Sequence, residues 1–305
     1  MYREYFKLRE YPFSLTPDTD FWFDAAAHRD AMNVLCATLR GGEGFIKVTA
    51  EIGLGKTLLC RQLLKELYGQ FVTAYIPDPQ LSPYGLTSAL ADEIRVGTPH
   101  KYAGDELMKF IRSRLLTLAR HRTRVVLIID EAHQLPDVTL EALRLLTNLE
   151  TEKFKLLQVV IVGQPELDRR LAQQTMRQLK QRISFSCSLS PMSVEATGGY
   201  IFHRIRVAGC RSGLRFEESA VRKICKASQG IPRLINVLCH KALMVAYGRG
   251  EETITRAHVG LAIADTETVL QSSSWRNPIE IMRSMSFAGP RNGADLNALH
   301  GGIRQ

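Results

Sequence analysis

This sequence is poor in the features that build metal centres, disulfide scaffolds and membrane spans. Its six cysteines (Cys36, Cys60, Cys187, Cys210, Cys225 and Cys239) form no Cys-x-x-Cys pair, and most lie in apolar stretches where a small buried thiol is expected. The eight histidines are scattered without ligand spacing, so no zinc site is predicted. No apolar run comes near the roughly 18 residues of a membrane helix, and no leader pattern follows Met1-Tyr2-Arg3-Glu4. A reduced, cytoplasmic protein without a transmembrane segment is the expectation. No helix-turn-helix or winged segment is recognisable, and the aromatic–basic interleaving of nucleic-acid grooves is missing.

What is present is the composition of a soluble globular protein. Of 305 residues, 45% are hydrophobic and 23% charged, enough for one large or two ordinary domains with full cores. Forty basic against 31 acidic residues leave a net charge of +9. That surplus suits a polyanionic partner such as nucleic acid or an anionic membrane surface, and equally a nucleotide enzyme that is simply basic.

The most informative stretch is FIKVTAEIGLGKTLL, residues 45–59. Phe45, Ile46 and Val48 read as a buried strand, and Leu58, Leu59, Leu63, Leu64 and Leu67 as the apolar face of a helix. Between them lies Ala50-Glu51-Ile52-Gly53-Leu54-Gly55-Lys56-Thr57-Leu58, the candidate nucleotide loop. Strand, glycine loop, Lys-Thr and helix form a phosphate-binding arrangement. Glycines let backbone N–H groups turn toward a polyphosphate, and the helix N-terminus adds partial positive charge. Lys56 would reach the β and γ phosphates of ATP, and the Thr57 hydroxyl would coordinate Mg2+. The consensus Gly-x4-Gly-Lys-[Ser/Thr] has Ala50 in place of its first glycine, at a strand exit where a positive φ is not required.

A second motif, Val125-Val126-Leu127-Ile128-Ile129-Asp130-Glu131, reads as a central parallel strand ending in two carboxylates. Asp130 would hold Mg2+ and Glu131 would orient and activate water. Residues 156–162 form another buried strand that ends at Gly163-Gln164-Pro165. Gln164 is either a γ-phosphate or water contact at that tip, or a turn residue. Further strands are predicted at 71–76 and from the alternation of Phe185, Cys187 and Leu189, and helices at 28–39, 83–95 and 104–122. The last of these ends in Arg120, His121, Arg122 and Arg124, where positive charge suits a helix C-terminus. Asp137 is the predicted N-cap of a helix bearing Leu140, Leu143, Leu146 and Leu149, and Arg169 and Arg170 are placed before a short helix.

Residues 1–27 are rich in aromatics, interrupted by Pro12 and Pro17, and are expected to pack on the core, with nucleotide base contact an open alternative. From 191 onward the pattern is helices only, at 193–208, 217–228, 232–247 and 255–264. The reading is therefore an aromatic linker (1–27), an α/β P-loop NTPase core with a five-stranded parallel sheet (28–190), a small all-α lid (191–268) and a flexible tail (269–305).

These features resemble the AAA+ ATPases. Tyr5-Phe6-x-Leu8-x-Glu10-x-Pro12-Phe13 with Thr16-Pro17-Asp18, Glu141-Ala142-Leu143-Arg144-Leu145-Leu146-Thr147-Asn148-Leu149-Glu150, Gly163-Gln164-Pro165-Glu166-Leu167 and Gly230-Ile231-Pro232-Arg233-Leu234-Ile235-Asn236 are similar to signatures of the ExeA/GspA-like group. That group serves type II secretion and type IV pilus assembly, and the likeness is greatest to its mannose-sensitive haemagglutinin (MSHA) pilus branch. Secretion-type members continue into a membrane span and a peptidoglycan-binding domain. Neither is visible here, so the pilus type is expected.

The resemblance implies further roles. Arg233 matches the lid arginine that contacts the γ phosphate of its own subunit's nucleotide. Arg182, with Arg177 as runner-up, matches the arginine finger that reaches a neighbour's ATP. A planar guanidinium stabilises charge on phosphate oxygens, worth about 10³–10⁵ in rate. The implied partners are other copies of the chain, in a ring or spiral, and pilus or secretion assembly proteins at the inner membrane, where the protein would be peripheral. Transposition regulators and replication initiators share such a core, so an ATP-dependent DNA-binding switch is the alternative.

Overall fold

The computed structural model describes residues 2–97, 104–151, 155–211 and 213–266. The expected tail, 269–305, lies outside the described residues. Five strands form one all-parallel sheet in the order β2-β3-β4-β1-β5. They are β1 (Phe45–Thr49), β2 (Phe71–Ile76), β3 (Arg124–Ile129), β4 (Gln158–Gly163) and β5 (Phe185–Ser188). Their sequences are near-continuous apolar runs because both faces are covered. Val126, Ile128, Val160 and Val162 face α2 (Ala26–Gly41) and α3 (Lys56–Leu67), meeting Leu35, Leu39, Leu59 and Leu63. Val125, Leu127, Ile129, Val159 and Ile161 face the other way. There they pack with α4 (Pro83–Glu93), α5 (Gly104–Arg120), α6 (Asp137–Thr147), α7 (Glu166–Leu171) and α8 (Arg177–Arg182).

Parallel register sets the carboxyl ends of the strands side by side. Thr49 lies opposite Gly163, and Ile129 opposite Ile161. The chain leaving β1, β3 and β4 therefore emerges at one edge, where open parallel sheets bind ligands.

A third cluster forms around α9 (Val194–Val207), α10 (Glu218–Ser228), α11 (Pro232–Arg249) and α12 (Arg256–Ala264). Two short strands, β6 (Arg215–Phe216) and β7 (Thr253–Ile254), pair in parallel within this helical region. The expectation of helices alone is corrected here, since two-residue strands carry no readable periodicity.

The aromatic segment also departs from expectation. Rather than packing on the sheet domain, Tyr2, Phe6, Leu8, Phe13 and Phe21 are buried in the helical region's cluster with Tyr200, Ile201, Ile205, Leu238 and Leu243. Trp22 alone of its aromatics packs against the α2–α3 side of the sheet. The short α1 (Tyr2–Tyr5) meets α11, and the Tyr2 hydroxyl lies 2.8 Å from His240 Nδ1. Arg204 explains the placement. Its buried guanidinium donates to the carbonyls of Pro12 and Ser14 and stacks 4.5 Å over the Phe21 ring.

Two local expectations change as well. Pro136, not Asp137, occupies the α6 N-cap, and Asp137 sits in the first turn, its carboxylate accepting from Arg170 Nε at 3.1 Å. Arg169 and Arg170 lie within α7 rather than before it.

Phe6 is fully buried between the opening segment and the helical region. Phe6→Ala is expected to cost about 3–5 kcal/mol, read as a shifted denaturant midpoint, because cavity and transfer losses add. A change under about 1 kcal/mol would mean the segment contributes little to that cluster.

Candidate functional site

The loop after β1 turns twice through the left-handed region, with φ of +84° at Gly53 and +93° at Gly55. Gly53 has no room for a side chain. A Cβ there would lie 2.9 Å from Ile231 Cγ2 and 3.0 Å from Arg233 Cβ. Ala50 keeps a negative φ and is buried, which is why alanine fits where the consensus has glycine. Gly55 caps α3 without any side-chain cap, leaving the N-terminus of this 12-residue helix to a ligand.

Lys56 opens that helix at 5% exposure. Its ammonium donates to the carbonyls of Ala50 (3.0 Å) and Glu51 (3.3 Å), and among the described residues no carboxylate forms an ion pair with it. Burial pushes its pKa down, while the Glu131, Asp130 and Glu51 carboxylates pull it up. Thr57 Oγ1 donates to Asp130 Oδ2 at 2.7 Å, and the Glu131 N–H donates to Asp130 Oδ1 at 2.8 Å. Burial raises the Asp130 pKa, and those two hydrogen bonds oppose it. An ammonium and a carboxylate kept dry in one place are costly unless ligands complete them. The paired oxygen donors of Thr57 and Asp130 are a fit for Mg2+, a hard cation that keeps most of its waters.

Glu131 takes φ +49°, a left-handed conformation uncommon for glutamate, and ends β3 at the same edge. Its Oε2 lies 3.5 Å from Gln164 Nε2 and 3.4 Å from His133 Nδ1, and Gln164 Nε2 lies 2.9 Å from His133 Nε2. Gln164 therefore turns its amide toward Glu131 from the tip of β4.

A cavity of about 290 Å³ joins these parts. Ile52, Gly53, Gly55, Lys56, Thr57 and Leu58 form one wall, with Glu131 and Gln164 beside them. Residues 14–18 of the opening segment form a second wall, and Tyr200, Arg204, Arg233 and Asn236 of the helical region a third. Ala50, Leu54 and Asp130 are buried behind the loop, and the Glu51 side chain is exposed. Arg182 and Arg177 are exposed on α8 and do not line the cavity. Tyr200 and Arg204 carry no recognisable motif, and Asn236 ends the Gly230–Asn236 signature without a role having been assigned to it. Structurally they form one network, in which the Tyr200 hydroxyl donates to Asn236 Oδ1 (2.9 Å) and Asn236 Nδ2 to the Ser14 carbonyl (3.3 Å).

Gly53→Ala is expected to destabilise the ligand-free chain by about 1–3 kcal/mol through left-handed strain alone, with the Ile231 clash adding to it. Chemical denaturation checks this. An unchanged midpoint would mean that the loop relaxes freely.

Residues 39–171 match the AAA domain family. The chain is 38% identical over 283 residues to General secretion pathway protein A of Aeromonas hydrophila, covering 92% of this chain and 51% of that protein. It thus spans about half the length of that relative. Among solved structures, the Aeropyrum pernix ORC2 protein in ADPNP–ADP complexes superposes with a TM-score of 0.61 at 15% identity, covering 85% of this chain and 70% of that one. Cdc6p of Pyrobaculum aerophilum gives 0.60 at 19% identity, covering 80% and 67%. Five parallel strands, the glycine loop between β1 and α3, and the helical region accordingly give this chain the α/β P-loop AAA+ fold, its residues 39–171 matching the AAA domain family.

Proposed function

We propose that this chain is an AAA+ ATPase of the ExeA/GspA-like group, converting ATP and water to ADP and phosphate. It would thereby drive or time assembly of type IV pilus machinery of the MSHA type, or of type II secretion machinery, at the inner membrane. The observation that carries the ATPase reading is the buried Lys56 ammonium, held among the described residues by the Ala50 and Glu51 carbonyl oxygens at an uncapped helix N-terminus beside a cavity. The complement of such a group is an anion, and the glycine loop before the helix suits a polyphosphate. The secretion or pilus assignment rests on likeness to General secretion pathway protein A and on the sequence signatures, and the MSHA pilus branch on the signatures alone.

In this reading residues 50–58 bind the triphosphate and Thr57 and Asp130 hold magnesium, which when bound neutralises charge on the phosphate oxygens. Glu131 accepts a proton from the attacking water, and Gln164 and His133 fix its carboxylate. Arg233 contacts the nucleotide from the helical region, and residues 14–18, which line the same cavity, are the candidates for contact with the base. Arg182, with Arg177 as alternative, serves a neighbouring subunit, which explains a functional arginine exposed outside its own cavity. A ring or spiral of identical chains follows.

Glu131→Gln is expected to lower turnover at least about 10²-fold while retaining ATP binding. Arg182→Ala should also be inactive, and mixing it with Glu131→Gln should restore turnover, since some interfaces then combine an intact Glu131 with an intact Arg182. Full turnover by Glu131→Gln would sink the catalytic assignment, and no recovery in the mixture would sink the one across subunits.

The alternative, an ATP-dependent DNA switch, draws on the charge of +9. A cleft of about 1110 Å³ at the opposite sheet edge carries Arg120, Arg122, Arg124 and Lys155. Much of that charge is committed: Arg124 donates to the carbonyls of Leu39 (3.2 Å) and Arg40 at the end of α2, and Lys155 pairs with Glu150. We therefore expect Glu131→Gln protein with ATP and magnesium to show weak, ATP-indifferent binding to labelled duplex DNA. Tight binding that requires ATP and falls steeply between two salt concentrations would favour the switch instead.

A further inference from the structure

Beneath the phosphate loop lies a side chain that no motif announces. His28, in the first turn of α2, is 5% exposed and wedged between Trp22 and the loop. Its Nε2 lies 2.8 Å from the Leu54 carbonyl oxygen. A carbonyl only accepts, so Nε2 carries the hydrogen and Nδ1 is bare in the neutral ring. That Nδ1 is buried with no hydrogen-bond partner among the described residues. Trp22 meets the ring edge-on, with centroids 5.7 Å apart, and fixes its plane. The next residue, Gly55, lies so close that a Cβ there would be 3.2 Å from His28 Nε2.

A histidine that merely filled space would gain nothing from a single hydrogen bond bought with an unsatisfied nitrogen, and an apolar ring would pack as well. The bond therefore matters for what it holds. In a planar trans peptide the C=O and the following N–H point in opposite directions. Fixing the Leu54 carbonyl against His28 turns the Gly55 N–H to the opposite side, and Gly55 is one of the residues lining the cavity. At a φ of +93°, unhindered by a side chain, this peptide would otherwise rotate readily.

We propose that His28 is a positioning residue of the phosphate loop, which by holding the Leu54 carbonyl presets the Leu54–Gly55 peptide for a nucleoside triphosphate. The inference rests on the nucleotide-binding reading given above. It makes the opening of α2, through the Trp22–His28 contact, part of the site's support.

The test compares ATP binding by calorimetry, with magnesium, for the full chain, His28→Phe and His28→Gln, together with the melting temperature of each ligand-free protein. Phenylalanine keeps the ring and removes the donor, whereas glutamine can place an amide N–H near the Nε2 position. His28→Phe is expected to weaken ATP binding about tenfold, the scale of one lost hydrogen bond, and His28→Gln to recover it to within about threefold. Ligand-free melting temperatures should not follow that order. Unchanged ATP affinity in His28→Phe would overturn the inference. So would equal losses in both variants that track melting temperature, the signature of plain packing. If the unsubstituted chain bound no ATP, the nucleotide reading itself would fall, and this inference with it.

Discussion

Two left-handed turns separated by one residue govern this molecule. At Gly53 and Gly55 a side chain would be crowded, because different parts of the chain press on the backbone there from different sides. Ile231 and Arg233 of the helical region close on Gly53, and the Arg233 N–H donates to the Gly53 carbonyl at 3.2 Å. His28 closes on Gly55 from beneath. Glycine is therefore favoured by φ at both positions, by a clash at Gly53 and by a tight contact at Gly55. A shift of α11 against the sheet domain would therefore act directly on the loop that carries Lys56.

The same loop keeps opposite charges dry, and the signs can be followed. Burial lowers the Lys56 pKa, so the folded chain binds that proton less tightly than the unfolded one, a penalty fully present below the lowered value and gone above the ordinary one. Burial raises the Asp130 pKa, a penalty absent below the ordinary carboxyl value and fully present above the raised one. Between the raised carboxyl and the lowered ammonium both groups are charged and both penalties stand. An anion beside Lys56 and a cation beside Asp130 would each relieve one of them. The site is thus less stable without its ligands than its packing alone would make it, as binding sites commonly are.

How much of this could be read in the residues depended on whether the signal was local. The glycine loop, the apolar run that ends in Asp130-Glu131, and the strand that ends at Gly163-Gln164 are each self-contained, and they place Lys56, Thr57, Glu131 and Gln164 at one sheet edge. The opening aromatics were legible as buried but not as to where. Their partners, Tyr200, Ile205 and Leu238, lie far along the chain, and hydrophobic pattern carries no address. Asp137 looked like a cap by composition, yet Pro136 already supplies the extended backbone a cap position needs, which freed the carboxylate for Arg170. His28 was invisible because a lone histidine on a helix has no spacing to recognise, and only the approach of Gly55 gives it meaning.

The placement of the opening segment has a consequence for how the cavity is built. Residues 14–18 form a wall beside the phosphate loop, but Arg204 and Asn236 hold the Ser14 carbonyl from the helical region, and Phe13 and Phe21 are buried in that region's cluster. The cavity thus has the phosphate loop, Glu131 and Gln164 on one body and residues 14–18, Arg233 and Asn236 on the other. The ties from the opening segment to α3 are slighter: an exposed Lys65–Asp20 pair at 3.4 Å and a hydrogen bond from Arg61 to the Pro17 carbonyl. Exposed pairs contribute about 0–1 kcal/mol, well below the burial of even one phenylalanine. The wall at 14–18 is consequently bound more firmly to the helical region than to the sheet domain it faces. A ligand spanning phosphate loop and wall would add its own contacts to that weaker side, and so couple its presence to the spacing of the two bodies.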